Sequence, residues 1–238
     1  MIDLQSAEGK RNPAQFLHWL KYKNGWGKEH PDYFLPDGLC VFCGPQGSGK
    51  TLSAVNYVYK LMEDYPRCKL CTNIALREFP LDEERVFPFY DNDDFKRYNN
   101  GEYGVIFLVD EIQLYLNSLQ SKNINLDVIA QLSQQRKQRK HIVATSQVFG
   151  RMAKPLREQF SAVILCKCIG GCIQYNQLID RDSIDGEDST GTNISGEVVR
   201  KFVWLHSPEM YGRYETYTVV ERGTFCAGEE QKGGLQGG

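Results

Sequence analysis

Leu39-Cys-Val-Phe-Cys43, followed by Gly44-Pro45-Gln46-Gly47-Ser48-Gly49-Lys50-Thr51, is the stretch that decides the fold. The second part satisfies G-x-x-x-x-G-K-[ST]. It sits between an apolar strand-like run and a helix-forming run, Lys50 to Glu63, which is the context the pattern needs. Glycines let the backbone curl without Cβ clashes. Its N–H groups then converge on phosphate oxygens, aided by the N-terminal end of the following helix. Residues 44–51 are therefore the expected phosphate cradle. Lys50 supplies a point charge to the β and γ phosphates, and the Thr51 hydroxyl is a Mg²⁺ ligand. The expected ligands are ATP and Mg²⁺.

Working outward, Val105-Ile-Phe-Leu-Val109 is a continuous apolar run that ends in Asp110-Glu111. Such a run predicts a strand buried on both faces. Its terminal acids then fall at the carboxyl edge of an open sheet, where ligands bind. Asp110 is expected to hold Mg²⁺ and Glu111 to polarise the attacking water as general base. The competing reading of Glu111 is a helix-start acid. A kinase has less need of a second acid, so the pair favours hydrolysis.

His141-Ile-Val-Ala-Thr-Ser146-Gln147 is a third strand with a polar end. Gln147, with Ser146 second, is the candidate sensor of the γ-phosphate or the lytic water. The preceding helix closes with Gln134-Gln-Arg136-Lys137-Gln-Arg139-Lys140. Two readings stay open for these cations. One is favourable charge at a helix C-terminus. The other is an arginine finger, Arg136 or Arg139, offered to a neighbouring subunit, which requires an oligomer. From Arg136 to Arg157 there are seven Lys/Arg and no acid. That run suits either a phosphate backbone or a solvated face.

The remaining pattern alternates. Strands are expected at Cys68–Ile74, Val86–Tyr90, Gly104–Val109, Ile142–Ser146 and Ala162–Lys167, and helices at 50–63 and 124–137. Short connections between them predict an α/β fold, a parallel sheet with helices on both faces. Residues 1–37 read as an N-terminal helical arm, with a helix at 13–23, and 38–168 as the core. Residues 169–225 read as an antiparallel β extension with a mobile loop at 181–196. Gly170-Gly171 marks a hairpin in it, with strands at Val198–Leu205 and Tyr214–Glu221. The tail, 226–238, is expected to be disordered. Asp91 to Asp94 reads as a solvated helix start.

With 238 residues, 41% hydrophobic and 24% charged, the chain has the composition of a globular protein. A formal net charge of −2 provides no global attraction to nucleic acid. No apolar run reaches transmembrane length and no signal peptide is present, so the expected place is the cytoplasm. The eight cysteines include Cys40-x-x-Cys43 and Cys68-x-x-Cys71. Residues three apart on a strand face opposite ways, so small buried thiols are expected there rather than zinc knuckles.

The order of these motifs, together with Lys154-Pro-Leu156-Arg157 and Pro208-Glu-Met-Tyr211-Gly-Arg-Tyr214-Glu-Thr-Tyr217, resembles the zonular occludens toxin (Zot) N-terminal domain family. That family includes filamentous-phage assembly ATPases and looks related to the FtsK–HerA DNA-pumping ATPases. The resemblance spans roughly Leu39 to Glu221. It implies a RecA-like ASCE P-loop core in a self-assembled ring, a hexamer or pentamer, encoded by a phage or mobile element. The implied work is DNA packaging or translocation, or virion assembly and export, in the host cytoplasm beside a capsid or membrane complex. The alternative is an assembly or secretion ATPase acting on a membrane or coat protein without pumping DNA. Filamentous-phage members carry a membrane span after this domain. None is found by residue 238, which shifts the expectation toward a packaging motor or an ATPase that docks on a separate membrane protein.

Overall fold

The computed structural model describes residues 30, 33–36, 38–77, 79, 83–116, 138–152, 157–180, 183–184 and 196–219. Two compact units are present, Met1–Tyr33 and Phe34–Gly238. The expected helices at 13–23 and 124–137, most of the loop 181–196 and the tail lie outside the described residues.

In the second unit β1 (Gly38–Cys43) enters the glycine loop, and α1 (Lys50–Asp64) leaves it. Then follow β2 (Lys69–Thr72), β3 (Ile74–Leu76), β4 (Val86–Pro88), α2 (Asp94–Arg97) and β5 (Val105–Val109). α3 (Gln113–Leu116) and β6 (Lys140–Ser146) come next. The chain continues through β7 (Phe160–Ile169), β8 (Ile173–Ile179), β9 (Val198–Leu205), α4 (Pro208–Gly212) and β10 (Tyr214–Val219).

The main sheet runs β4-β2-β5-β6-β1-β7-β8-β9. Its pairings from β4 to β7 are parallel, and β7-β8 and β8-β9 are antiparallel. β6 is inserted between β1 and β5. Cys43 therefore lies opposite Ser146, and Val109 opposite Ala144. The ends of three strands, and the polar residues that follow each, are brought side by side at the carboxyl edge.

Period-2 alternation explains why the central strands read as unbroken apolar runs. Leu39, Val41 and Cys43 pack into one layer with Phe107, Ile142, Phe89, Phe95 and Phe149. Cys40 and Phe42 pack into the other, with Ile106, Leu108 and the α1 residues Ala54, Val55, Val58, Leu61 and Met62. Truncating one of these large side chains, such as the fully buried Phe107, costs about 3–5 kcal/mol. The same alternation separates the cysteines. Cys40 and Cys68 lie in the α1 layer, Cys43 and Cys71 in the opposite one. Burial pushes the Cys68 thiol up to about 11 and that of Cys166 to about 12, so both are neutral small apolar groups.

Three expectations change. The strand expected at 68–74 breaks at Asn73. There the Thr72 hydroxyl accepts the Ile74 N–H (3.1 Å), and β3 leaves the main sheet to pair antiparallel with β10. β10 consequently belongs with β3 and not with the extension. Asp94 is not solvated: it is fully buried and accepts the N–H groups of Tyr90 (2.7 Å) and Asp91 (3.2 Å). Its acid caps a turn from inside the core, which no local pattern of charge reveals.

Candidate nucleotide site

The glycine loop is held open by backbone geometry. Gly47 and Gly49 have φ of 76° and 79°, a region side chains disfavour. At Gly49 a Cβ would lie 2.1 Å from Gln174 Oε1, so space as well as conformation demands glycine. Lys50 Nζ donates to the Pro45 carbonyl (3.0 Å), folding back across the loop. Ser48 Oγ is buried inside the loop with no hydrogen-bond partner. A buried hydroxyl without a partner is costly unless a ligand or water completes it. It adds a donor to the cradle.

Thr51 opens α1, and its hydroxyl donates to Asp110 Oδ1 (3.0 Å). The same oxygen accepts the Thr145 hydroxyl (2.5 Å). Asn73, at the break between β2 and β3, grips the Asp110 backbone: its side-chain oxygen accepts the Asp110 N–H (2.8 Å) and its amide donates to the Asp110 carbonyl (3.0 Å). Burial pushes the Asp110 carboxyl above the usual carboxylate range, opposed by the Thr145 and Thr51 hydroxyls. Glu111 holds φ 49°, in the left-handed region. Thr145 Oγ1 accepts its N–H (3.0 Å), Gln147 Nε2 donates to its Oε1 (2.9 Å), and the Gln113 amide donates to its Oε2. The acid is thus aimed by its own backbone and gripped on both oxygens.

Lys50, Thr51, Asp110, Glu111 and Gln147 therefore converge at one sheet edge. Ser146 is beside them, its hydroxyl buried and without a partner. Thr145 and Asn73 join the site and were not singled out from the sequence. Thr145 opens the polar end of its strand, next to the nominated Ser146 and Gln147, and Asn73 stands at a strand break that hydropathy does not mark. Thr51 and Asp110 form a hard-oxygen pair suited to Mg²⁺. Around them lies a cavity of about 550 Å³, walled also by Tyr115, Gly171, His206, Tyr211 and Tyr214.

Arg136 lies outside the described residues. Arg139 stands just before β6, at the opposite edge of the sheet, roughly 26 Å of strand from Gln147. It donates to the Phe34 carbonyl (3.2 Å). Lys140 is buried and donates to the Phe95 carbonyl (2.7 Å), which withdraws it from any basic surface. Among the described residues no helix is long and apolar enough to cross a membrane.

The strand order and the loop at the end of β1 define a RecA-like P-loop NTPase fold. No family model and no curated protein matches the sequence. Among solved structures, the N-terminal domain of zonular occludens toxin from Neisseria meningitidis is similar over 76% of this chain and 100% of its own, at 20% identity and TM-score 0.51. The flagellar accessory protein FlaH from Methanocaldococcus jannaschii is similar over 75% of this chain and 89% of its own, at 13% identity and TM-score 0.50. The DNA-packaging ATPase B204 from Sulfolobus Turreted Icosahedral Virus matches over 73% and 98%, at 13% identity and TM-score 0.47. The likeness is one of fold. It includes the Zot N-terminal domain that the motif order resembles.

Proposed function

We propose that this protein is an ATP-hydrolysing motor subunit of a phage or mobile element. It drives DNA packaging or translocation, or virion assembly and export, from the host cytoplasm. The observation that carries the hydrolytic reading is Glu111, held by Gln147 and Gln113 at the same sheet edge as Lys50, Thr51 and Asp110. A carboxylate gripped there is placed to take a proton from water attacking the terminal phosphate. Mg²⁺, when bound by Thr51 and Asp110, supplies charge neutralisation to the phosphates. Lys50 orients the β and γ phosphates, and Gln147 ties the state of the γ-phosphate to the base it holds. Ring assembly would place Arg136 or Arg139 of one subunit against its neighbour's site. The motif order described above supports DNA as the load. The alternative load, a coat or membrane protein, uses the same ATPase.

The test is ATP turnover by the full chain with and without single- and double-stranded DNA, alongside its mass in solution. We expect turnover that rises with DNA and vanishes in Lys50→Ala. Turnover indifferent to DNA but raised by a coat or membrane protein would replace the DNA motor with the assembly ATPase.

A further inference from the structure

The segment from His206 to Glu215 forms a strap beside the glycine loop, with Tyr214 packed on the core under α1. It leaves β9, passes through α4 and crosses to β3. Its far end is fastened by the Arg77–Glu215 ion pair and by Arg77 N–H to the Arg213 carbonyl (2.7 Å). Midway, Arg213 donates to Asn56 Oδ1 (2.9 Å) and lies 3.5 Å over the Tyr59 ring, both on α1. The near end is tied to the glycine loop itself. Gln174 Nε2 faces two acceptors, the Ser48 carbonyl (3.0 Å) and Asn176 Oδ1 (2.7 Å). Its Oε1 must therefore be the atom facing His206 Nε2 (3.1 Å), which makes Nε2 the protonated nitrogen. His206 Nδ1 is then the acceptor of the Tyr211 hydroxyl.

These bonds hold the Tyr211 ring at the wall of the cavity that contains the phosphate cradle. Its single hydroxyl proton is shared between His206 Nδ1 and the Gly171 carbonyl (3.3 Å), yet the residue is 49% exposed. Gly47 and Gly171, on the same cavity, have positive φ and open space where a Cβ would stand. A fixed aromatic face beside bare backbone admits a flat heterocycle, and every nucleobase has a π-face to offer.

We infer that the strap is the nucleobase wall of this site: the base of a nucleoside triphosphate stacks on Tyr211, which the His206–Gln174 chain holds in register with the loop that binds its phosphates. This rests on the P-loop reading proposed above. The strap thereby selects a nucleotide over a bare polyphosphate.

Titration calorimetry of the full chain with Mg·ATP and with Mg·tripolyphosphate tests it. Tyr211→Ala is expected to weaken ATP about tenfold or more and to leave tripolyphosphate unchanged. Tyr211→Phe keeps the ring and most of the ATP affinity, whereas Tyr211→Leu, which keeps apolar volume, behaves like the alanine variant. Unchanged tripolyphosphate binding also shows that each variant is folded. Equal loss of both ligands, or no loss of either, overturns the wall. So does a wild-type chain that binds tripolyphosphate as tightly as ATP. Lys50→Ala should weaken both ligands. A wild-type chain that binds neither removes the P-loop reading itself.

Discussion

Every residue of β5 from Val105 to Val109 is buried, whereas seven of the eight positions of β9 are exposed. Between these extremes β8 inverts the usual rule, since two of its buried residues are Gln174 and Asn176. The parallel half of the sheet hides its apolar side chains in two layers and offers only its strand ends to the chemistry. The antiparallel half sends polar side chains inward. Gln174 reaches Ser48, and Asn176 Nδ2 donates to Ser53 Oγ on α1 (3.0 Å). One half carries the groups proposed to react, and the other braces the glycine loop proposed to hold the phosphates.

This division separates rate from stability. Glu111→Gln should lower ATP turnover by about 10²- to 10⁴-fold, the usual worth of a general base, with nucleotide affinity and melting temperature little changed. A matching loss of affinity would mean that the acid binds rather than reacts. On the bracing side, Gly49→Ala places a methyl against Gln174 at positive φ and should destabilise by about 1–3 kcal/mol, read by denaturant unfolding. Gln174→Ala alone leaves the Ser48 carbonyl, Asn176 and His206 short of a partner, at a similar cost of about 1–3 kcal/mol. The double variant should cost less than the sum, because removing Gln174 also removes the clash. Strict additivity would show that the two positions do not press on one another.

The smallest effect is one of pH. Burial lowers the His206 pKa below its ordinary 6.5. The unfolded chain then binds more protons than the folded one just below that pH. Stability is complete above 6.5 and declines as pH falls through the window beneath it. Melting temperatures from pH 7.5 to 5.5 should fall less steeply in His206→Gln than in wild type. Parallel curves would assign the slope to other groups.

The two halves also differ in how far the sequence discloses them. β1, β5 and β6 are runs of apolar residues with polar ends, so both their position and their edge are written locally. Lys50, Thr51, Asp110, Glu111 and Gln147 follow from those edges, and they lie together. β8 is hidden, because Ile173-Gln-Tyr-Asn-Gln-Leu-Ile179 buries the residues that hydropathy assigns to solvent. Asn73 and Thr145 are hidden for a related reason. Their roles come from hydrogen bonds to Asp110 and Glu111 across neighbouring strands, and no spacing along the chain encodes them. The pairing of β10 with β3 joins segments far apart in sequence, again without a local mark. Lys140 reads as one cation of a basic run, yet it is spent inside on the Phe95 carbonyl.

Glu111 keeps a left-handed backbone that a side-chain-bearing residue adopts at a cost of about 1–2 kcal/mol. Asparagine tolerates that conformation better and would relax the strain while removing the carboxylate proposed as the base. Selection for durability alone would therefore push this position away from the acid. Glutamate there sets the proposed activity against robustness at a single residue, and a sturdier but idle variant lies one substitution away.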